Sequence, residues 1–156
     1  MNNEIDLQLL RAAIDLAASA RGRGNHPFGA LLASERGEIL LKAENTVMTE
    51  RDCTAHAETN LVRAASQELS PDVIARCMLY ASAEPCPMCA GAIYWLKPRG
   101  VVYALSQQSL QLIIGNGADK LPVACREILA RGVYRVEVIG PAIEDEARRV
   151  HEGFWT

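Results

Sequence analysis

No apolar run in this sequence approaches the length needed to span a bilayer, so a membrane-spanning helix is not expected. A basic leader is missing too. Met1-Asn2-Asn3-Glu4-Ile5-Asp6 does not read as a secretory signal, and a cytoplasmic location is the expectation. Positive charge is not in excess: the formal net charge is −3. A domain that grips a polyanion through its phosphates is usually basic, so a nucleic-acid partner is disfavoured, although a local basic patch can hide in a net count. The five cysteines, Cys53, Cys77, Cys86, Cys89 and Cys125, do not make an even set, and only Cys86 and Cys89 stand close in sequence. This argues against a disulfide framework and for metal binding or catalysis at the close pair. No repeat, low-complexity run or linker interrupts the chain. Residues 1–156 therefore read as one domain, long enough to bury a real core.

What is present is the composition of a soluble globular protein, 49% hydrophobic and 22% charged. Helical and extended patterns alternate, which suggests a layered α/β domain. Ile5, Leu9, Ala12, Ala13, Leu16, Ala17 and Ala20 predict an amphipathic helix over 5–20. The turn residues of 21–27 break it. Phe28 to Ser34 and Ile39 to Asn45 read as strands joined by a turn at 35–38. A helix capped by Thr54 should run to about Ser66, and Ser70-Pro71-Asp72 should be loop. Cys77 to Ala83 reads as a buried strand and Cys86 to Leu96 as a helix with Trp95 packed in the core. Val101 to Leu105 is another strand, whereas 106–120 shows no clear pattern. A helix over 121–130, a strand over 134–139 and a final helix from Ile143 to about Gly153 follow, with 144–149 facing solvent. The expected fold class is α/β, a three-layer α/β/α arrangement of about five strands flanked by helices.

Two short stretches carry the chemistry: His56-Ala57-Glu58 and Pro85-Cys86-Pro87-Met88-Cys89. Each alone is weak. Together, one His and two Cys make three ligands, and a fourth tetrahedral position left to water is the arrangement of a catalytic zinc site. Both sets fall near predicted helix starts, where the helix dipole favours thiolate, the form that binds metal. Zinc lowers the pKa of the water it binds to around 7, and a carboxylate such as Glu58 can take that proton and later deliver it to a leaving amine. Residues two apart on an ideal helix do not share a face, so His56 must sit in an irregular first turn for Glu58 to work beside it. Two rivals stand at this point. Cys53 and His56 with Cys86 and Cys89 would make a closed Cys₃His structural site. A strand followed by C-x-x-C also suits a redox site, which would leave His56-Ala57-Glu58 unexplained.

The pattern H-x-E…P-C-x-x-C is the signature of zinc deaminases acting on cytosine and adenine. With it, this chain resembles the cytidine deaminase-like superfamily. Within that group, Asp52-Cys53-Thr54-Ala55-His56-Ala57-Glu58 and the stretch Glu84 to Trp95, with its C-P-M-C and I-Y-W, are similar to bacterial guanine deaminases and to tRNA adenosine deaminases. The likeness is good over about 5–105 and poor beyond. It implies a five-stranded sheet flanked by helices, assembled as a homodimer. It implies one zinc per chain on His56, Cys86 and Cys89, with Glu58 as proton shuttle. Asn45 would hydrogen-bond the ring, the backbone N–H of Ala57 would contact the group next to the reacting carbon, and Phe28 would lie against the base. Trp155, with Phe154, would either close the core or cover the pocket, as C-terminal segments do in the guanine deaminase group. The implied reaction is hydrolysis of a heteroaryl amine to a carbonyl compound and ammonia. The expected substrate is a free base, guanine first, with cytosine, a pterin, an aminotriazine or a nucleoside as alternatives and tRNA adenosine behind them; the alternative outside enzymes is a binding module built on a structural zinc. The chain departs from the family pattern in two places. Cys53 stands where proline is common, and the loop Ser106 to Gln111 carries no acid where guanine deaminases place one in or near it.

Overall fold

Asp6 opens the first helix by accepting hydrogen bonds from Gln8 N (3.0 Å) and Leu9 N (3.2 Å). Helix α1 then runs Leu7–Gly22 and buries Leu9, Leu10, Ala13, Ile14, Ala17 and Ala20. The computed structural model describes residues 6–115 and 119–155, so Ile5, expected in this helix, lies outside the described residues. Strand β1 (Gly29–Ala33) is buried along its whole length and pairs antiparallel with the half-exposed β2 (Ile39–Glu44) across a turn at Gly37, whose φ is 82°. A four-residue helix α2 (Val47–Glu50), absent from the sequence reading, follows β2. Side chains impose it: Asn45 Oδ1 accepts from Val47 N, and Asn25 Oδ1 accepts from Met48 N and Thr49 N, each at 3.1 Å.

Helix α3 spans Ala57–Glu68, and its N-cap is His56 rather than Thr54. Thr54 instead closes a turn on Asp52, whose Oδ1 accepts from Thr54 N (2.8 Å) and Oγ1 (2.7 Å). The expected loop at 70–72 is a short helix α4 (Pro71–Ile74), with Ser70 as N-cap and proline at its first position. Strand β3 (Met78–Ala83) leads into α5 (Pro87–Leu96) and then β4 (Gly100–Leu105). Trp95 is not core, because α5 buries Cys89, Ala90, Ile93 and Leu96 and leaves Trp95 76% exposed. The stretch after β4, which shows no clear pattern in the sequence, holds α6 (Gln107–Ile114), N-capped by Ser106. Helix α7 starts only at Cys125 and runs to Ala130, strand β5 is Glu137–Ile139, and α8 (Glu144–Arg148) passes into a 3₁₀ turn at Arg149–His151.

The sheet order is β2-β1-β3-β4-β5, with β1 antiparallel to both neighbours and β3, β4 and β5 parallel. Two cores cover its faces. On one, α3, α5 and α7 pack Leu61, Ile93 and Leu129 onto Leu79 and Val101. On the other, α1 and α8 pack Leu10, Ile14 and Ala147 onto Leu31, Tyr80 and Val102. The three-layer α/β/α expectation therefore holds.

Candidate active site and metal centre

The parallel strands β3 and β4 end side by side, and the chemistry lies just past their C-terminal ends, where open α/β sheets bind ligands. Beyond β3, Pro85 is buried and Cys86 caps α5 with an extended backbone (φ −67°, ψ 170°). His56 caps α3 in the same way (φ −71°, ψ 152°). This answers the geometric demand made by the sequence. His56 stands outside the helix, so it and Glu58 are not bound by helical spacing. Cys89, one turn into α5, is fully buried.

His56 Nδ1, Cys86 Sγ and Cys89 Sγ lie within 4.8 Å of one another. His56 Nδ1 is 3.5 Å from each sulfur. Zinc bonds of about 2.3 Å to sulfur and about 2.0–2.1 Å to nitrogen, at a tetrahedral angle, place nitrogen and sulfur about 3.6 Å apart. The three atoms therefore fit one face of a zinc tetrahedron, with His56 binding through Nδ1. Cys53 is exposed and is not one of the group, which removes the closed Cys₃His arrangement. Thr59, which the sequence reading did not single out, places Oγ1 3.3 Å from Cys89 Sγ and donates to it whenever that sulfur is a thiolate.

Electrostatics at the group follow from burial and proximity. The hydrogen bond from Cys89 holds the Cys86 thiol far below its usual range, at about 4, with the His56 ring acting in the same direction. The same bond, with burial, pushes Cys89 up. His56 is raised by its hydrogen bond with Cys86. Glu58 is only 5% exposed, and burial pushes its carboxyl up to about 7.

A cavity of about 330 Å³ opens beside His56 and Cys86, and α6 walls it with Gln107, Leu110, Gln111 and Ile114. Two acids distant in sequence touch this loop through its backbone N–H groups, and neither lines the cavity. Glu84 Oε1 accepts from Gln107 N (3.1 Å), and Glu144 Oε2 accepts from Ser106 N (3.0 Å). No spacing rule links these positions; only the tertiary fold does. It also means that 144–149 is not simply solvent-facing, because Glu146 pairs with Arg11 at 2.9 Å.

Asn45 is 1% exposed and Ala57 is fully buried at the first position of α3. Phe28 belongs to an aromatic cluster with His26, His151 and Trp155. Trp155 stacks on His151 and donates from Nε1 to its Nδ1 at 3.0 Å. His26, expected as a solvated turn residue, is half-buried against Phe154 and Trp155 and lies close enough to His56 for the two rings to repel when charged.

Residues 3–105 match the model of the cytidine and deoxycytidylate deaminase zinc-binding region. A probable cytosine deaminase of Schizosaccharomyces pombe is 38% identical over 155 residues, covering 98% of this chain and 94% of that protein. The guanine deaminase of Bacillus subtilis is 43% identical over 105 residues, 67% of this chain and 65% of that protein. tRNA-specific adenosine deaminases also lie among the relatives. Among solved structures, a guanine deaminase from Nitrosomonas europaea superposes with a TM-score of 0.78 at 25% identity, covering 96% of this chain and 87% of that one. The chain belongs to the cytidine and deoxycytidylate deaminase family, and it is a hydrolytic deaminase with a zinc-binding group at His56, Cys86 and Cys89.

Proposed function

We propose that this chain deaminates a free amino-heterocyclic base, guanine first, releasing xanthine and ammonia, and that Glu58 carries the protons. One observation supports this above the others: a buried carboxylate beside a three-ligand group that leaves one tetrahedral position open. Bound there, zinc supplies Lewis acidity that makes water nucleophilic near neutral pH. Glu58 takes a proton from the attacking water and passes it to a ring nitrogen, then takes the hydroxyl proton of the adduct and delivers it to the departing amine as the carbonyl forms. A carboxyl poised near neutrality by burial can both accept and give.

The remaining roles are those the family resemblance implies. Asn45 is buried and held by its Oδ1, which accepts from Val47 N, and we assign its Nδ2 to hydrogen-bond the ring. The Ala57 N–H belongs to the first turn of α3, where backbone donors have no helical partner, and it binds the group beside the reacting carbon. Phe28 stacks against the base, and Trp155, resting on His151 and Phe28, shields it from water. The cavity of about 330 Å³, lined by His56, Cys86 and α6 and not by Asn45, Phe28 or Trp155, has the volume for a single base, and a net charge of −3 disfavours a polyanion. We propose further that the enzyme works in the cytoplasm, as one domain per chain and as a homodimer.

Cytosine is the second reading, favoured by the end-to-end likeness to a probable cytosine deaminase. Ammonia release from a panel of guanine, cytosine, a pterin, an aminotriazine and nucleosides decides between them. Guanine should be turned over fastest. Faster cytosine turnover selects the second reading, and inosine formation in a tRNA anticodon stem with no turnover of any base in the panel overturns both.

A further inference from the structure

We propose that Glu84 is a positioning residue for the substrate: its carboxylate locks α6, the wall of the cavity, to the segment that carries Cys86. The proposal rests on reading that cavity as the base pocket. Glu84 uses both oxygens on two different helices. Oε1 accepts from Gln107 N (3.1 Å), the first residue of α6, and Oε2 accepts from Cys125 N (3.0 Å), the first residue of α7. Its own backbone N–H donates to Leu105 O at 2.7 Å, at the end of β4. Two residues on, past the buried Pro85, stands Cys86. Two helix starts thus converge on one side chain, which sits among partial positive charges that favour an anion.

Packing alone does not hold α6. None of its side chains is fully buried, and Leu112 is 79% exposed. Leu110 and Ile113 pack partly buried against the core, and polar groups fix the helix start: Ser106 Oγ accepts from Ser109 N (3.1 Å), Glu144 Oε2 from Ser106 N and Glu84 Oε1 from Gln107 N. Leu110, Gln111 and Ile114, which face the cavity, hang from that anchor. A carboxylate can satisfy both helices at once. An amide cannot, because it has one acceptor oxygen and turns an NH₂ toward the other backbone N–H. Glu84 therefore sets the distance between the α6 wall and the Cys86 ligand.

The test uses zinc-loaded protein with two readouts, kinetics and amide hydrogen exchange. Glu84→Gln should retain one zinc per chain and keep α3 protected. Exchange over 107–114 should speed up by roughly tenfold or more, as expected for losing a bond to a charged group, and KM should rise more than kcat falls. A second pair isolates the bond should Glu84→Gln misfold. Gln107→Pro removes the N–H that Glu84 receives together with the side chain, at a first helical position that tolerates proline and follows an extended residue. Gln107→Ala keeps the N–H and removes the same side chain. Faster α6 exchange and higher KM in the proline variant than in the alanine variant support the proposal. It is overturned if α6 exchange is unchanged, or if zinc or melting temperature is lost while KM stays at the wild-type value. If the wild type turns over no base in the panel, the assignment of function is what fails, and the exchange comparison alone decides the role of Glu84.

Discussion

Glu58 and Cys53 separate chemistry from metal binding, one residue each. Glu58 is outside the three-ligand group, so Glu58→Ala should keep zinc and fold. It should lower kcat by more than the about 10²–10⁴ of one acid–base step, because the same carboxyl serves several proton transfers. Activity within tenfold of wild type would remove Glu58 from the mechanism. Cys53 is exposed and outside the group, so Cys53→Ser should keep both zinc and turnover. X-ray absorption of the zinc-loaded wild type should report two sulfur ligands, and three would restore Cys53 to the metal. At this scale the sequence was most readable. Spacing and residue chemistry sufficed to single out His56, Cys86, Cys89 and Glu58, whereas Thr59, a common residue beside a rare one, left no signal.

Elements were legible where burial is periodic and illegible where polar side chains do the work. The strands and α1, α3 and α5 follow apolar spacing, with ends displaced by up to three residues. Helices α2 and α6 do not, because asparagine amides hold the one and carboxylates distant in sequence hold the other. Trp95 fell on the wrong side of α5, since apolar character does not say which turn faces the sheet. The contact of α1 with β1 gives a prediction at this scale. A Cβ on Gly29 would meet Ala13 O and Ala17 N, both at 2.6 Å, so helix and strand would have to part. Gly29→Ala should destabilise by about 1–3 kcal/mol, the usual cost of overpacking, read as a lower denaturation midpoint. An unchanged midpoint would show that the contact is slack.

For the whole molecule, the C-terminal segment ties the fold to the site through His151, which is 2% exposed and stacked under Trp155. Burial lowers its pKa to about 4, with Arg21 contributing. The unfolded chain has a histidine near 6.5, so below that pH the unfolded state binds a proton that the folded state refuses. Stability is therefore fully present above about pH 6.5 and declines as pH falls toward 4, by on the order of 3 kcal/mol from this group. Comparing unfolding free energies of wild type and His151→Phe across that range should show a shallower slope in the variant, whatever it costs at pH 7. Equal slopes would mean that His151 is protonated in the fold. Deleting residues 153–156 should impair turnover more than folding if Trp155 shields the base. A truncated protein that stays folded with wild-type turnover would sink that role, and one that melts early and loses zinc would make the tail core closure.

The sequence by itself determined the reaction class, the candidate metal group and the layered α/β fold, because these rest on residue chemistry and on spacings the backbone enforces locally. Only the tertiary structure decided that His56 stands off α3 as a cap and turns Nδ1 to the two sulfurs, and that Cys53 stays out of the group. It alone brought Glu84 and Glu144 to the loop that lacked an acid. Those are contacts between segments far apart in the chain, set by which strand ends lie together once both faces of the sheet are covered, and no local pattern encodes them.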